Sequence, residues 1–303
     1  MQAFNPQTIR MQLSQKPVDL LAGTHYAMLA MPQRAPTILV FDSGLGGLTV
    51  LSEAMKARPD AHFIYAADDA GFPYGPLSED ALVARVGTVI AQLIANHHPD
   101  LVIIACNTAS TLVLPALRAR FQVPFIGTVP AIKPAAELSK SRHISVLATP
   151  GTVARDYTQG LIRDYAQGCK VTLIGSLHLA GLAEAALKGK QVPDQAIAAE
   201  IAPCFVESGG QRTDVVALSC THYPLLLPQL NALAPWPVTW IDPAPAIARR
   251  MVQLLGQAHR PDISSDGHLA IFTSSAALPA PLVAALASRG LARFATQALP
   301  SHT

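Results

Sequence analysis

The chain has 303 residues, of which half are apolar and only 14% are charged, and its formal net charge is +2. This length allows a large buried core and two domains. So few cations cannot form the basic stripe that a phosphate backbone requires, and the composition therefore argues against nucleic acid as a partner. The sequence shows no secretory signal, so we expect its four cysteines to be thiols rather than disulfides.

The two ends of the chain carry the least regular patterns. Residues 1–35 lack the apolar segment and cleavage site of a signal peptide, and they predict an irregular N-terminal extension or a translation start at Met28 or Met31. The longest uncharged stretch, residues 269–288, could span a membrane, but two prolines and a Thr-Ser-Ser run interrupt it. We expect a strand and a surface helix there, no membrane contact and a cytoplasmic location.

β-branched apolar runs alternate with segments of helical spacing along most of the chain. Strands are predicted at 36–41, 62–67, 101–105, 124–127, 143–148, 170–175, 215–219 and 238–242, and helices at 48–57, 78–96, 132–138 and 197–207. This alternation predicts an α/β fold with doubly wound, mostly parallel sheets. Ligands of such sheets bind at the carboxyl ends of the strands.

Two of the predicted strands end on a cysteine, at Cys106 and Cys220. Small polar residues and a leucine-rich segment follow each cysteine, so each stretch predicts a strand, a cysteine and a helix. The leucine-rich segments are themselves alike, since residues 112–117 resemble residues 225–230. Two related half-sites indicate a pseudo-symmetric enzyme.

Loops at the ends of two other strands also carry polar or aromatic residues. A glycine-rich turn, residues 42–47, lies between a strand and a helix, which suits anion binding, although a tight turn alone would also need glycine. The Asp-, Gly- and Pro-rich residues 68–76 form a predicted loop with Phe72 and Tyr74 inside it. These aromatic residues are either packing anchors or the wall of a cleft.

Several kinds of chemistry are compatible with the cysteines. Buried structural thiols are common, and Cys169 and Cys204 fit that description. A zinc site would need clustered ligands, and only Cys220 and His222 come near such spacing. A single Cys-His nucleophile needs one cysteine rather than two. An acid/base pair that acts on opposite faces of one carbon needs two cysteines, and it best explains why Cys106 and Cys220 occupy matching positions.

Thiols need assistance to act as bases near neutral pH, because a free cysteine is mostly protonated there. The start of a helix favours the thiolate, and His222, when protonated, would stabilise a Cys220 thiolate. Asp42 would disfavour a nearby thiolate and suits a proton acceptor or a holder of the substrate ammonium. A helix N-cap at Asp42 and an ordinary loop histidine at 222 are the alternatives. Other polar residues at this sheet edge are caps or ligand contacts.

Four motifs, in this order and spacing, resemble the cofactor-independent aspartate/glutamate racemase family: Asp42-Ser-Gly-Leu-Gly-Gly-Leu-Thr, Phe72-Pro-Tyr-Gly, Cys106-Asn-Thr-Ala-Ser and Cys220-Thr-His-Tyr-Pro-Leu-Leu. The resemblance covers residues 36–255. It implies interconversion of L- and D-glutamate for peptidoglycan synthesis, with neither pyridoxal phosphate nor metal. It also implies two similar α/β domains around one active site, the first at 36–130 plus 243–303 and the second at 131–242.

The resemblance also assigns roles by position. Cys106 and Cys220 match the acid/base thiols, and Asp42 and His222 match their assistants. Glu184 falls where the family has an acidic residue near the second cysteine. The positions that match substrate contacts are Asp42, Ser43, Tyr74, Gly75, Asn107, Thr108, Thr149, Thr152, Thr221 and His222.

The chain departs from the family pattern at Ser219, at Gly71 and at Leu177-His178. We expect these departures to affect the detailed shape of the cleft and not the reaction. Aspartate-specific members usually carry an acidic residue where this chain has His222, which favours glutamate. A non-catalytic amino-acid-binding protein would need a cleft but not two matched cysteines. A homodimer is a candidate assembly.

Overall fold

The computed structural model describes residues 34–257 and 267–298. Most of the predicted N-terminal extension, residues 1–33, therefore lies outside the described residues. Sheet A has the spatial order β12 (Leu291–Thr296), β11 (His268–Phe272), β2 (His62–Ala67), β1 (Thr37–Asp42), β3 (Leu101–Ile104) and β4 (Phe125–Gly127). Sheet B has the order β10 (Thr239–Ile241), β9 (Val215–Ser219), β5 (His143–Ala148) and β6 (Lys170–Gly175). Every strand pair within these two sheets is parallel, which confirms the predicted fold class.

Helices connect the strands and cover both faces of each sheet. Those of the described residues are α1 (Leu48–Ala57), α2 (Glu79–His97), α3 (Asn107–Arg120), α4 (Ile132–Leu138), α5 (Pro150–Val153), α6 (Asp156–Tyr165), α7 (Leu179–Leu187), α8 (Asp194–Ile201), α9 (Leu227–Leu233), α10 (Ala244–Leu255) and α11 (Ala280–Ala287). Helix α11 and strand β11 confirm the strand and helix expected within residues 269–288. Across residues 34–257 and 267–298, no helix combines the length and the apolar character that crossing a membrane requires.

The alternation of side chains along β1 explains why both faces of sheet A are covered. Ile38 and Val40 point into a core formed with α1, α10 and α11. Leu39 and Phe41 point the other way, into a core formed with α2 and α3. All four are fully buried. A strand that is apolar at every position is typical of a parallel sheet between two helical layers, and sheet B is likewise covered on both faces.

The helix predicted at 197–207 is wrong at both ends. Helix α8 begins at Asp194 and ends at Ile201, a short 3₁₀ helix covers Ala202–Cys204, and a two-stranded antiparallel hairpin follows, with β7 (Glu207–Ser208) and β8 (Gln211–Arg212). Pro203 lacks the backbone N–H that a continuing α-helix needs. Gly209 and Gly210 both have positive φ and form the hairpin turn, so the Gly-Gly pair was the sequence signal for it.

Candidate active site

The two cysteines lie at the carboxyl ends of strands in different sheets. Cys106 follows β3 and stands directly before α3, and it is 5% exposed. Cys220 follows β9 and is 6% exposed. The segment after Cys220 begins with a 3₁₀ helix, Tyr223–Leu226, before α9 starts, so only the first cysteine stands directly at the start of an α-helix.

Asp42 links the two half-sites. It ends β1, is fully buried, and accepts hydrogen bonds from the backbone N–H groups of Ser43 and Gly47. The Thr221 hydroxyl, from the far side of the cleft, also donates to Asp42, at 3.1 Å. The Ser43 hydroxyl in turn lies 3.6 Å from the Cys106 sulfur. Asp42 is thus not the N-cap of α1, which is Gly47, and its carboxylate is itself the anion that the glycine-rich turn holds.

The environment of Cys106 favours its protonated form. Burial raises the pKa of this thiol far above its usual range, and the negative charge of Asp42 raises it further. A charge on Cys220 acts in the same direction, so the two thiols lie within electrostatic reach of each other. The hydrogen bonds from Ala109 N–H and Ser43 oppose this shift without cancelling it.

Cys220 has a cation beside it instead. His222 Nδ1 lies 3.8 Å from the Cys220 sulfur, and Nε2 lies 2.9 Å from Glu184 Oε1. A carboxylate only accepts, so Nε2 carries a hydrogen and donates it to Glu184. The backbone N of Gly46, 3.2 Å from the same nitrogen, is therefore a close contact and not a second hydrogen bond.

The protonated form of His222 is strongly favoured. Burial lowers the pKa of this imidazole, but hydrogen bonds with Cys220 and Glu184, together with the charges of Cys220 and Asp42, outweigh it and raise the pKa well above 6.5. Glu184 is the matching anion. Burial raises its pKa, yet the hydrogen bonds from His222, Lys188 and Leu45 N–H bring it down to about 2. Glu184 and His222 thus form a buried ion pair beside Cys220.

Glu184 also joins the two sheets. It lies on α7, and its Oε1 accepts a hydrogen bond of 2.6 Å from Leu45 N–H in the turn after β1. The turn approaches His222 so closely that a Cβ at Gly46 would lie 2.4 Å from its Nδ1. Glycine is therefore required here for close approach between loops, a reason that the sequence pattern alone did not reveal.

Threonines connect the other side of the cleft. Thr108, near the start of α3, lies 2.9 Å from the Thr149 hydroxyl and 3.4 Å from the Thr152 hydroxyl, both at the start of α5. Thr149 is also the N-cap of α5. Next to Thr108, Asn107 is 2% exposed, and neither polar atom of its amide has a hydrogen-bond partner among the described residues. A buried amide of this kind is costly unless a ligand satisfies it.

The aromatic residues of loop 68–76 divide between the two expected roles. The Phe72 ring lies 5.4 Å from the His222 ring and lines the cleft. Tyr74 is 2% exposed and donates its hydroxyl to Asp68 at 2.5 Å, so its side chain is an anchor. The neighbouring Gly75 faces open space, since a Cβ there would meet no heavy atom within 4 Å. The contacts predicted at 74 and 75 stay predictions, and only the backbone there is free of the Tyr74–Asp68 hydrogen bond.

Two positions that depart from the family pattern have clear locations. Ser219 ends β9 directly before Cys220, and its fully buried hydroxyl has no hydrogen-bond partner among the described residues. Leu177, between β6 and α7, is 74% exposed. Ser219 is thus joined directly to the second cysteine, whereas Leu177 faces solvent.

Comparison with known proteins agrees with this geometry. A family model for Asp/Glu/hydantoin racemases matches residues 43–251. A glutamate racemase of Brucella ovis is 55% identical over 249 residues, which cover 81% of this chain and 90% of the relative. The crystal structure of Escherichia coli glutamate racemase, in complex with L-glutamate and the activator UDP-MurNAc-Ala, superposes with a TM-score of 0.80 at 39% identity, covering 88% of this chain and 99% of that one. A glutamate racemase isoform of Bacillus anthracis has a TM-score of 0.71 at 26% identity, covering 88% and 98%. The chain belongs to the Asp/Glu/hydantoin racemase family.

Proposed function

We propose that this protein interconverts L- and D-glutamate without a cofactor or a metal, with Cys106 and Cys220 as the two acid/base groups. The observation that carries the proposal is the pair of thiols that end one strand of each sheet. Hydrogen bonds lead from Cys106 through Ser43 and Asp42 to Thr221, the residue next to Cys220. The names of the relatives support glutamate as the substrate.

Racemisation needs one base and one acid on opposite faces of the α-carbon. The imidazolium of His222 stabilises a thiolate at Cys220, and burial together with Asp42 keeps Cys106 as a thiol. The Cys220 sulfur takes the α-proton, and the electron pair stays on the α-carbon and its carboxylate. The Cys106 thiol then gives its proton to the other face. The reverse reaction exchanges these roles.

The polar groups around the thiols are those that an amino acid requires. The unsatisfied amide of Asn107 can both donate and accept, so it suits the α-carboxylate and the ammonium of glutamate. The hydroxyls of Thr108, Thr149, Thr152 and Thr221 surround the same cleft. We assign the remaining substrate contacts to Ser43, His222 and the backbone at Tyr74 and Gly75, with Glu184 as the group that holds His222.

Incubation of the protein with L-glutamate in deuterated water tests the proposal. We expect loss of the α-proton signal in NMR and loss of optical rotation, both abolished in Cys106→Ala and in Cys220→Ala. Cys204→Ala is the matched control, because Cys204 is another fully buried thiol but belongs to neither half-site, lying in the 3₁₀ helix after α8. Binding of glutamate with no exchange would instead indicate an amino-acid-binding protein. Faster turnover of aspartate than of glutamate would indicate an aspartate racemase.

The proposal includes a cellular role and an assembly. D-Glutamate formed in the cytoplasm would supply peptidoglycan synthesis, and the protein would act as a homodimer, which light scattering on the purified chain tests. We also propose domain boundaries at 130/131 and 242/243. The strands of sheet A come from residues before 131 and after 242, and those of sheet B come from residues 131–242.

A further inference from the structure

A second buried carboxylate, Asp68, lies at the end of β2 beside the cleft. It is fully buried and accepts hydrogen bonds from three side chains. Tyr74 donates its hydroxyl at 2.5 Å, and Thr273, which follows β11, donates at 2.7 Å. Arg85 of α2 approaches with both arms of its guanidinium, Nε at 2.6 Å and Nη2 at 2.7 Å. A bidentate arginine of this kind compensates the buried negative charge and fixes its orientation.

The same network holds the loop that follows β2. Thr273 accepts a hydrogen bond of 3.1 Å from Ala70 N–H. The next carboxylate, Asp69, accepts one of 2.9 Å from Ser274 N–H. Helix α2 and the end of β11 therefore clamp residues 68–74 from two sides, and the chain has few ways to move there without breaking charge-assisted bonds.

The clamped loop ends inside the cleft. Its Phe72 ring packs against the ring of His222, at 5.4 Å. The backbone of its Gly75 lies next to Gly151 of α5, since a Cβ at Gly151 would be 3.7 Å from the Gly75 carbonyl oxygen. The same Cβ would be 3.4 Å from a methyl group of Thr108, so the loop also lies near the threonines. A displacement of the loop would thus alter the wall that faces His222 and the backbone next to the threonines.

Tyr74 transmits the position of Asp68 to this loop. Burial, and then the charge of Asp68, raise the pKa of the phenol well above 10, so the hydroxyl is protonated at neutral pH and can donate to Asp68. Since the side chain is used in this way, only the backbone of residues 74 and 75 is left to meet a ligand.

We propose that Arg85 and Asp68 are positioning residues, which set the loop of Phe72, Tyr74 and Gly75 against the substrate. This inference rests on the proposed glutamate racemisation, and it adds two residues to which that function assigned no role. Neither residue belongs to the acid/base set, and both act through the loop. A supporting structure that holds a binding loop rigidly lowers the cost of binding.

Gly71 provides an independent argument for the arrangement. A Cβ at this position would lie 2.2 Å from Arg85 Nε, 2.7 Å from its Cζ and 2.8 Å from Asp68 Oδ2. The guanidinium thus occupies the space that any side chain at 71 would fill. Gly71, one of the departures from the family pattern, is needed here because Arg85 passes over it.

The first experiment compares Arg85→Met with Arg58→Met. Arg58 also forms a bidentate pair, with Asp60 at 2.8 and 2.9 Å, but before the start of β2, at the amino ends of the strands of sheet A. Its side chain is more buried than that of Arg85 and also donates to the carbonyls of Leu255 and Gly256, so its loss should destabilise the fold at least as much. Both variants should unfold at a lower temperature. We expect the KM for glutamate to rise about ten-fold in Arg85→Met, with kcat changed much less, because the loop contacts bind substrate and transition state alike. Arg58→Met should keep the KM of the wild type.

The second experiment uses Gly71→Ala, which leaves both charged groups in the protein. It should raise KM in the wild type by displacing the guanidinium, and it should have no further effect on KM when combined with Arg85→Met. An unchanged KM in both Arg85→Met and Gly71→Ala, with an active wild type, would overturn the inference, as would equal KM changes in Arg85→Met and Arg58→Met. A wild type with no α-proton exchange would instead overturn the proposed function.

Discussion

Replacing Glu184 by Gln tests how the charge of His222 is maintained. Glu184 Oε1 accepts from Leu45 N–H at 2.6 Å and from His222 Nε2 at 2.9 Å, and Oε2 accepts from Lys188 Nζ at 2.8 Å. Glutamine keeps the shape and one acceptor oxygen but removes the charge. His222 therefore loses the anion that favours its protonated form, and the contact between α7 and the turn after β1 weakens.

The magnitude follows from the pKa of Glu184, which hydrogen bonding brings from 4.5 to about 2 in spite of burial. The depressed pKa corresponds to about 3 kcal/mol of stability, and the partner shift at His222 describes the same interaction and is not added. Because the pKa is lowered on folding, this stability is present above about pH 4.5 and is lost as the pH falls toward about 2. We expect the melting temperature of Glu184→Gln to fall by about 5–10 °C at neutral pH.

The pH dependence of activity tests the charge of His222, whose pKa shifts in the opposite direction to that of Glu184. The pKa of His222 is raised on folding. The stabilisation from its protonated form is therefore complete below about pH 6.5 and is lost as the pH rises through the higher pKa of the folded protein. Without Glu184 that loss starts at lower pH, and the alkaline limb of the kcat profile, measured by circular dichroism, should move down. Glu200→Gln is the control, since the Glu200 carboxylate accepts from the Ser176 hydroxyl and from His178 N–H rather than from His222. An unmoved alkaline limb with a lowered melting temperature would refute the reasoning.

Three further predictions concern the cleft. Cys106→Ser should lower kcat unequally for L- and D-glutamate, each measured separately by circular dichroism. The ratio kcat/KM stays equal for the two enantiomers, because they have equal free energies. Equal losses of kcat in both directions would contradict a mechanism in which each cysteine takes the proton from one enantiomer only. Asn107→Ala should raise KM about ten-fold yet leave the melting temperature unchanged or higher, because the buried amide has no hydrogen-bond partner within residues 34–257 and 267–298. Gly46→Ala should lower kcat about 100-fold by displacing His222, whereas Gly87→Ala, where a Cβ meets nothing nearer than 3.6 Å, should retain activity.

Local patterns in the sequence predicted much of the fold and the outline of the site. Apolar runs of four to six residues marked nearly every strand of the two parallel sheets, because a strand buried on both faces has little choice of residue. Asp42, Cys106 and Cys220 follow such runs directly, so their place at the sheet edges could be predicted without any distant contact. The same logic failed at 197–207, where Pro203 and two glycines changed the backbone.

Contacts between distant residues were beyond local patterns. Asp68 and Thr273 are 205 positions apart, and only the pairing of β11 with β2 brings them together. The Tyr74 hydroxyl donates to the same Asp68, which Thr273 and Arg85 hold in turn. The sequence left open whether this tyrosine anchors the loop or lines the cleft, since either role requires an aromatic residue at the end of a strand.

The two half-sites resemble each other in backbone and differ in charge. Strand, cysteine and small polar residues occur twice, but a carboxylate accompanies Cys106 and an imidazolium accompanies Cys220. Two thiols would lack a base and two thiolates would lack an acid, so neither symmetric pair could complete a proton transfer across the α-carbon. Asp42, at the end of β1, and His222, where the first copy of the motif has Thr108, break that symmetry. The protein can therefore combine a repeated backbone, which places the two cysteines alike, with unequal neighbours, which give the two sulfurs different electrostatic surroundings.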